Sequence, residues 1–572
     1  MRWNKLITTF LFIVLLGFLS IFWYFRFNIS GILVLFLLSF LIYLLYILFP
    51  KVFKSKVTFN LLTLPSIAIL FIYSVLNNRL SSYDGRFFHI KVIYSIMQTG
   101  SYKPIFENVK PFLIEYMLGT TARYLGWYSI YLFFGVATAL SIVLCYKLYR
   151  LLGMSTHRSL VLLVSLVFSP IYVGLALIEF KTDIFLFTLV LLNYLLFYKL
   201  VATKRIDYYL LISLLSGICI LIKLSCIPLA LALFLVSLYV VAKYYKTKLL
   251  LVHILAVLIF VIPYSLWVSA NGATIPMIQK EIGIEKKSPL SVDKNVFQTC
   301  QNEATERDYN NYIFGKSFPL ILGQPFFYLS GYKMHPEGTQ SIATLGPVLY
   351  LYILLSILWP LFKPIPKTET EKYFYIVMLA QIIIFYIFIR NIFWYLFPAL
   401  PLSGYFSFKI FEFYFKSRIR IVAYTLILAN ALLLVFLYSV FGSGSLPQSN
   451  NYIENQDRKF SSYLELNTSD GLILDTSFQQ TAVTYPYFVD SSTRVVKANF
   501  LFADTQNDQE IYEKIKTNKI HYILAGTAIQ QRDINSNSSC INSYFINLKK
   551  FLGIHAKIIY SNDLGYSVYK LL

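Results

Sequence analysis

The sequence predicts a polytopic α-helical membrane protein that ends in a small soluble α/β domain. Three observations carry this. The 572 residues are 57% hydrophobic and only 14% charged, against about 25% charged in soluble domains. Many apolar stretches reach the roughly 20 residues that cross about 30 Å of hydrocarbon. After "FGSGSLPQSNN" (441–451), rich in Gly, Ser, Pro and Asn, the composition turns to that of a soluble fold.

Spans read near 6–25, 31–49, 58–77, 127–148, 159–178, 182–200, 207–223, 226–242, 249–270, 343–362, 373–390, 392–413 and 420–442, about 13 transmembrane helices in all. The first follows a basic "MRWNK", the layout of a secretory signal. It is long for one, lacks a small-residue cleavage site and is soon followed by a second span, so it reads as retained.

Lys and Arg in short loops set the orientation. With the N terminus cytoplasmic, the inner segments hold about 21 cations against about 4 acids, which accounts for most of the net charge of +22. The charge therefore describes topology and does not point to nucleic acid. Residues 78–126, 271–342 and everything after 442 then face outward. Four regions follow: two additional N-terminal helices (1–57), a transmembrane core (58–442) with external loops 78–126 and 271–342, a linker (443–450) and an extracytoplasmic α/β domain (451–572). Heavy use of Lys, Ile, Asn, Tyr and Phe points to an AT-rich bacterial genome, hence to the bacterial inner membrane.

Five cysteines are too few and too scattered for a disulfide framework. Cys145, Cys219 and Cys226 lie in or beside spans, whereas Cys300 and Cys540 are both external and free to pair. Histidines are sparse and lack metal-ligand spacing, so neither a metal nor another cofactor is expected.

In the C-terminal region, 471–477, 493–500, 520–526, 557–562 and 566–572 read as short strands. "DQEIYEKIKTN" (508–518) reads as a helix, with acids in its first turn and Ile511 and Ile515 four apart. The region carries no Gly-rich phosphate loop and no nucleophile elbow, so support or recognition is its expected role.

The first external loop begins "LSSYDGRFFHIKVIYSIMQTGSY" (80–102). Helical spacing puts Asp84, Lys91, Ser95 and Gln98 on one face, with Phe87, Ile90, Ile93, Tyr94 and Met97 filling the rest. "TGSYKP" ends the helix. Such a helix, directly after a span, should lie flat at the membrane interface with Asp84 at headgroup depth. On local sequence alone Asp84 reads equally as an N-cap. "KPFLIEYMLGTTARYLG" (110–126) reads as a second interfacial helix.

Charges also mark other outer turns. "LALIEFKTDIFLF" (175–187) puts Glu179, Lys181 and Asp183 in one short hairpin, Lys223 ends a span in "GICILIKLSCIP", and Arg390 precedes "NIFWYLFPALPL". A single cation at that depth reads as snorkelling. Three charged hairpins beside an external acid read better as one shared site.

These stretches resemble the GT-C integral-membrane glycosyltransferases that use polyprenyl-phosphate sugars, in the protein O-mannosyltransferase and aminoarabinose-transferase branch. "YDGRFFHIKVIYSIMQTGSYKP" is similar to that family's first external loop, "SGICILIKLSCIPLALALFL" (216–235) to its small-residue pattern ending in K-x-S/T, and "FWYLFPALPLSGY" (393–405) to its Y-x-x-P-x-L-P pattern. The resemblance covers roughly 58–572 and implies a GT-C fold and inverting transfer from a lipid-phosphate sugar to a glycan, lipid or protein acceptor at the outer face. It implies Asp84 as the catalytic acid group. Many relatives carry Asp-Glu where this chain has Asp84-Gly85, so a second acid would have to come from Glu107, Glu115 or Glu179. Asp183 falls where relatives also have an Asp. Lys223 and Arg390, then Lys181, match the cations that hold the donor phosphate.

The chemistry agrees with the resemblance. Breaking a glycosyl phosphate gives an oxocarbenium-like transition state, fixed cations stabilise the leaving phosphate, and a carboxylate accepts the acceptor's proton. Two other classes remain open on sequence: a transporter or flippase of lipid-linked glycans, which should show mid-membrane charges or internal repeats, and a non-catalytic glycan-assembly protein.

Overall fold

The structure, a computed structural model, describes residues 89–100, 113–178, 180–223, 226–244, 346–362, 368–388, 393–415, 418–441, 447–476, 494–497, 501–503, 508–525, 539–563 and 566–572, with the single positions 72, 290 and 300. Asp84, Glu107, Glu179 and Arg390 lie outside the described residues, as do the first two expected spans and the expected span at 249–270.

The membrane part is helical: α1 (Lys91–Thr99), α2 (Leu113–Leu125), α3 (Tyr128–Leu151), α4 (Thr156–Val167), α5 (Pro170–Val173), α6 (Asp183–Thr203), α7 (Ile206–Ile222), α8 (Ile227–Tyr244), α9 (Gly346–Leu358), α10 (Glu369–Phe388), α11 (Leu400–Phe415) and α12 (Ile419–Phe441). Among the described residues, α3 and α6 are each long and apolar enough to cross a membrane, and α4 with the segment after it makes a third if that bent pair is one crossing. That pair departs from the single span expected over 159–178. The chain bends by 66° at Phe168–Ser169, because Pro170 has no N–H to give and its ring excludes a continuous helix. The Ser169 hydroxyl accepts from the Tyr172 N–H at 3.4 Å and restarts the chain as α5, which runs into a π-helical turn, Gly174–Ile178.

Both helices expected within 78–126 are present. α1 ends where "TG" predicts: Gly100 adopts the left-handed conformation (φ 80°), and its N–H reaches the Ile96 carbonyl at 2.8 Å. α1 and α2 pack at close range over Gly119, where a Cβ would stand 2.8 Å from the Ile93 carbonyl oxygen.

After α12, α13 (Pro447–Asn467) begins inside the stretch expected as linker, with Pro447 at its first position. All five expected strands form: β1 (Leu472–Asp475), β2 (Val495–Lys497), β3 (Ile520–Ala525), β4 (Ala556–Ser561) and β5 (Ser567–Leu571). Their order is β2-β1-β3-β5-β4, with β1 parallel to β2 and β3, and β5 antiparallel to β3 and β4. The side chains alternate in period two. Ile473, Tyr522 and Leu524 meet Phe460 and Leu464 of α13 on one face. Leu474 and Ile523 meet α14 (Asp508–Thr517) and α15 (Ser539–His555) on the other.

Leu290 and Cys300, from the stretch expected as the second external loop, join that second face, and Cys300 is disulfide-bonded to Cys540 of α15 with a Cα–Cα distance of 5.4 Å. Cys300 and Cys540 thus pair, while Cys145, Cys219 and Cys226 are free and buried.

Candidate active site

Antiparallel packing of α6 on α7 brings the start of one and the end of the other to the same level. Asp183 is the first residue of α6, after Thr182, where the unpaired N–H groups of a helix favour an anion. Lys223 ends α7 in an extended conformation (φ −158°, ψ 126°). Its ammonium donates to both carboxylate oxygens of Asp183, at 2.9 and 2.8 Å. The acid is almost fully enclosed (4% of the side chain exposed), whereas the lysine is 19% exposed. Lys181 is buried two residues before Asp183, beside Phe180, which packs on Phe134 at 5.1 Å between ring centres.

Three of the six expected site residues thus lie within the described residues, and two of these, Asp183 and Lys223, form one ion pair. Asp84, Glu179 and Arg390 lie outside them. The pairing gives Lys223 a fixed position at the end of α7, with part of its side chain exposed. It also occupies both oxygens of Asp183, which suits that residue to holding a cation.

The "FWYLFPALPLSGY" stretch folds as a 3-10 helix over Phe393–Ala399 running directly into α11. Phe397 stacks on Phe187 of α6 (4.1 Å, 17°), and the Tyr194 hydroxyl lies 2.8 Å from the Pro398 carbonyl oxygen and 2.9 Å from Gln381 Oε1. The motif therefore packs on the helix that carries Asp183, and Tyr194 of that helix also bonds to α10.

A second polar cluster joins the residues just before α1 to α2. His89 Nδ1 pairs with Glu115 Oε1, and both side chains are buried. Sequence reasoning named Glu115 only as a substitute acid and passed over His89, since a partner 26 residues away leaves no local pattern. Lys91, expected on an exposed polar face, is also buried (3% exposed). The C-terminal domain meets α1 one turn further on: the Arg458 guanidinium of α13 lies over the rings of Tyr94 and Trp127, at 5.8 and 5.9 Å. Burial holds the Lys91 ammonium well below its ordinary pKa, opposed by the charge of Asp475 at the end of β1.

The profile of a family described as dolichyl-phosphate-mannose-protein mannosyltransferase matches residues 109–267, which include α2 to α8, Asp183 and Lys223. No curated protein matches the sequence. Among solved structures, ArnT from Cupriavidus metallidurans bound to undecaprenyl phosphate is similar over 90% of this chain and 98% of its own, with a TM-score of 0.51 at 10% identity. The oligosaccharyltransferase of Archaeoglobus fulgidus in its apo form is similar over 91% of this chain and 75% of its own, with a TM-score of 0.47 at 11% identity. The chain resembles the GT-C glycosyltransferases in fold over nearly its whole length, and the dolichyl-phosphate-mannose-protein mannosyltransferases in sequence over 109–267.

Proposed function

We propose that this protein transfers a sugar from a polyprenyl-phosphate donor to an acceptor hydroxyl at the outer face of the membrane, with inversion. The observation that carries this reading is the enclosed Asp183–Lys223 pair at one end of the bundle, in a fold similar to that of ArnT captured with undecaprenyl phosphate. An ammonium held by a carboxylate is oriented before a phosphate arrives, which is what stabilising a leaving phosphate requires.

In the proposed reaction the acceptor oxygen attacks the anomeric carbon from the side opposite the phosphate. The bond from that carbon to the phosphate oxygen breaks, and its electron pair stays on the lipid phosphate. Asp84 takes the acceptor's proton. Lys223, Lys181 and Arg390 bind the phosphate, with Asp183 keeping Lys223 in position. This reading includes about 13 crossings, a cytoplasmic N terminus, an external C-terminal domain and residence in a bacterial inner membrane.

Purified protein in lipid nanodiscs, given a polyprenyl-phosphate sugar, should transfer the sugar or slowly hydrolyse the donor. Asp84→Asn should lower turnover by at least about a hundredfold, and Lys223→Met should weaken donor binding. Full activity in Asp84→Asn would remove that residue as the base. Donor-independent movement of a lipid-linked glycan across liposomes, with no sugar released, would favour a transporter.

A further inference from the structure

The C-terminal domain is joined to the membrane part by more than chain connectivity. On α1, Lys91 and Tyr94 lie one turn apart and so share a face. Arg458 stands over the Tyr94 ring at 5.8 Å, and over Trp127, which meets Tyr94 edge-on at 6.5 Å. Lys91 is 3% exposed, and its Nζ makes no hydrogen bond among the described residues. An ammonium taken out of water is costly unless an opposite charge is near. The acid acting on Lys91 is Asp475, itself 1% exposed at the end of β1. α13 thus touches this short helix directly, and β1 carries the buried acid whose charge opposes the cost of enclosing Lys91.

That helix leads onward through rigid contacts. Glycine at 119 lets α1 seat directly on α2, and α2 packs on α7, the helix that ends at Lys223.

We propose that the C-terminal domain docks on α1 through Asp475 facing Lys91 and Arg458 over Tyr94 and Trp127, and that this docking sets the path α1–α2–α7 so that Lys223 is in place for a lipid phosphate. Asp475, Lys91 and Arg458 are positioning residues: they act through Lys223 without touching donor. The docking stands on the Arg458 contacts and on the burial of Lys91 and Asp475, and only the consequence for the lipid phosphate rests on the function proposed above.

The test uses the full chain in nanodiscs with two readouts, amide exchange over residues 91–99 and equilibrium binding of undecaprenyl phosphate. Lys91→Met and Asp475→Asn should each speed exchange by about tenfold or more, since each removes one side of an enclosed charge contact. The double variant should be no worse than either single one, because the two residues act as a unit. Arg458→Ala, at the rim of the interface, should speed exchange a few-fold and serves as the second probe if a buried variant does not fold. The same variants should bind undecaprenyl phosphate about tenfold more weakly. Unchanged exchange in the single variants, or additive effects in the double, overturns the docking. Faster exchange with unchanged affinity overturns the positioning and leaves the docking. Failure of the unaltered protein to bind the lipid phosphate counts against the transferase reading, and the docking is still decided by exchange.

Discussion

Lys223 and Asp183 are unequal partners, and the inequality predicts what their substitutions do. The carboxylate is 4% exposed and the lysine 19%. Lys223→Ala leaves a charge enclosed with nothing opposite it, which costs about 3–5 kcal/mol. Asp183→Asn leaves an ammonium that can turn toward water, so its cost should be clearly smaller. Replacing both, as Lys223→Met with Asp183→Leu, should return stability near to that of the parent, because apolar groups of similar volume fill such a site at least as well. Thermal unfolding in detergent checks the order Lys223→Ala, then Asp183→Asn, then the double variant. Equal losses in the two single variants would mean that the pair is not held in the enclosed geometry seen here. The stable double variant should still bind lipid phosphate more weakly than the parent, which would separate the pair's part in folding from its part in the site.

At the scale of elements, the contact between α1 and α2 is a tight constraint. A Cβ on residue 119 would meet the Ile93 carbonyl oxygen and the Ile96 Cβ, both at 2.8 Å. One is backbone and the other is fixed to it, so neither can yield without moving α1. Gly119→Ala should therefore destabilise by about 1–3 kcal/mol by overpacking, visible as faster amide exchange over 91–99. Unchanged exchange would mean that the helices have room to part. How far such elements were legible in sequence depended on how local their causes are. The end of α1 at Gly100 and the helix over 508–517 were legible because caps and four-residue spacing are written in neighbouring residues. The break at Ser169–Pro170 was hidden by the unbroken hydropathy of 159–178, although the proline was in plain sight. α13 is polar on most of its surface and buries mainly Phe460, Ser461 and Leu464, with Asp457, so neither hydropathy nor the expected linker composition revealed it. Asp183 and Lys223 could be assigned to one end of the bundle from span boundaries, but their pairing across 40 residues could not. Nothing local connects Lys91 with Asp475 or His89 with Glu115, since those partnerships exist only once the helices and the C-terminal domain are assembled.

Across the whole molecule, the disulfide between Cys300 and Cys540 ties the segment around Cys300 to the C-terminal domain. It closes a separation of 240 residues, long enough for the cross-link to remove much of the unfolded chain's freedom. Cys300 is fully enclosed and sits with Leu290 among Tyr544, Leu548 and Phe551, so the loop adds packed surface as well as a covalent bond. Disulfides persist where the surroundings are oxidising, which agrees with the outer placement that the Lys and Arg bias assigns to both segments. Cys300→Ser with Cys540→Ser should lower the stability of the C-terminal domain by about 2–4 kcal/mol, a fall in its melting temperature on the order of 10 °C. Reduction of the parent protein should do the same. The transition of the membrane helices should move little, because their core lies in a separate cluster of side chains. Differential scanning calorimetry with and without reductant resolves the two transitions. A single transition that falls as one would mean that domain and bundle unfold together, and that the disulfide holds the whole protein rather than its outer half.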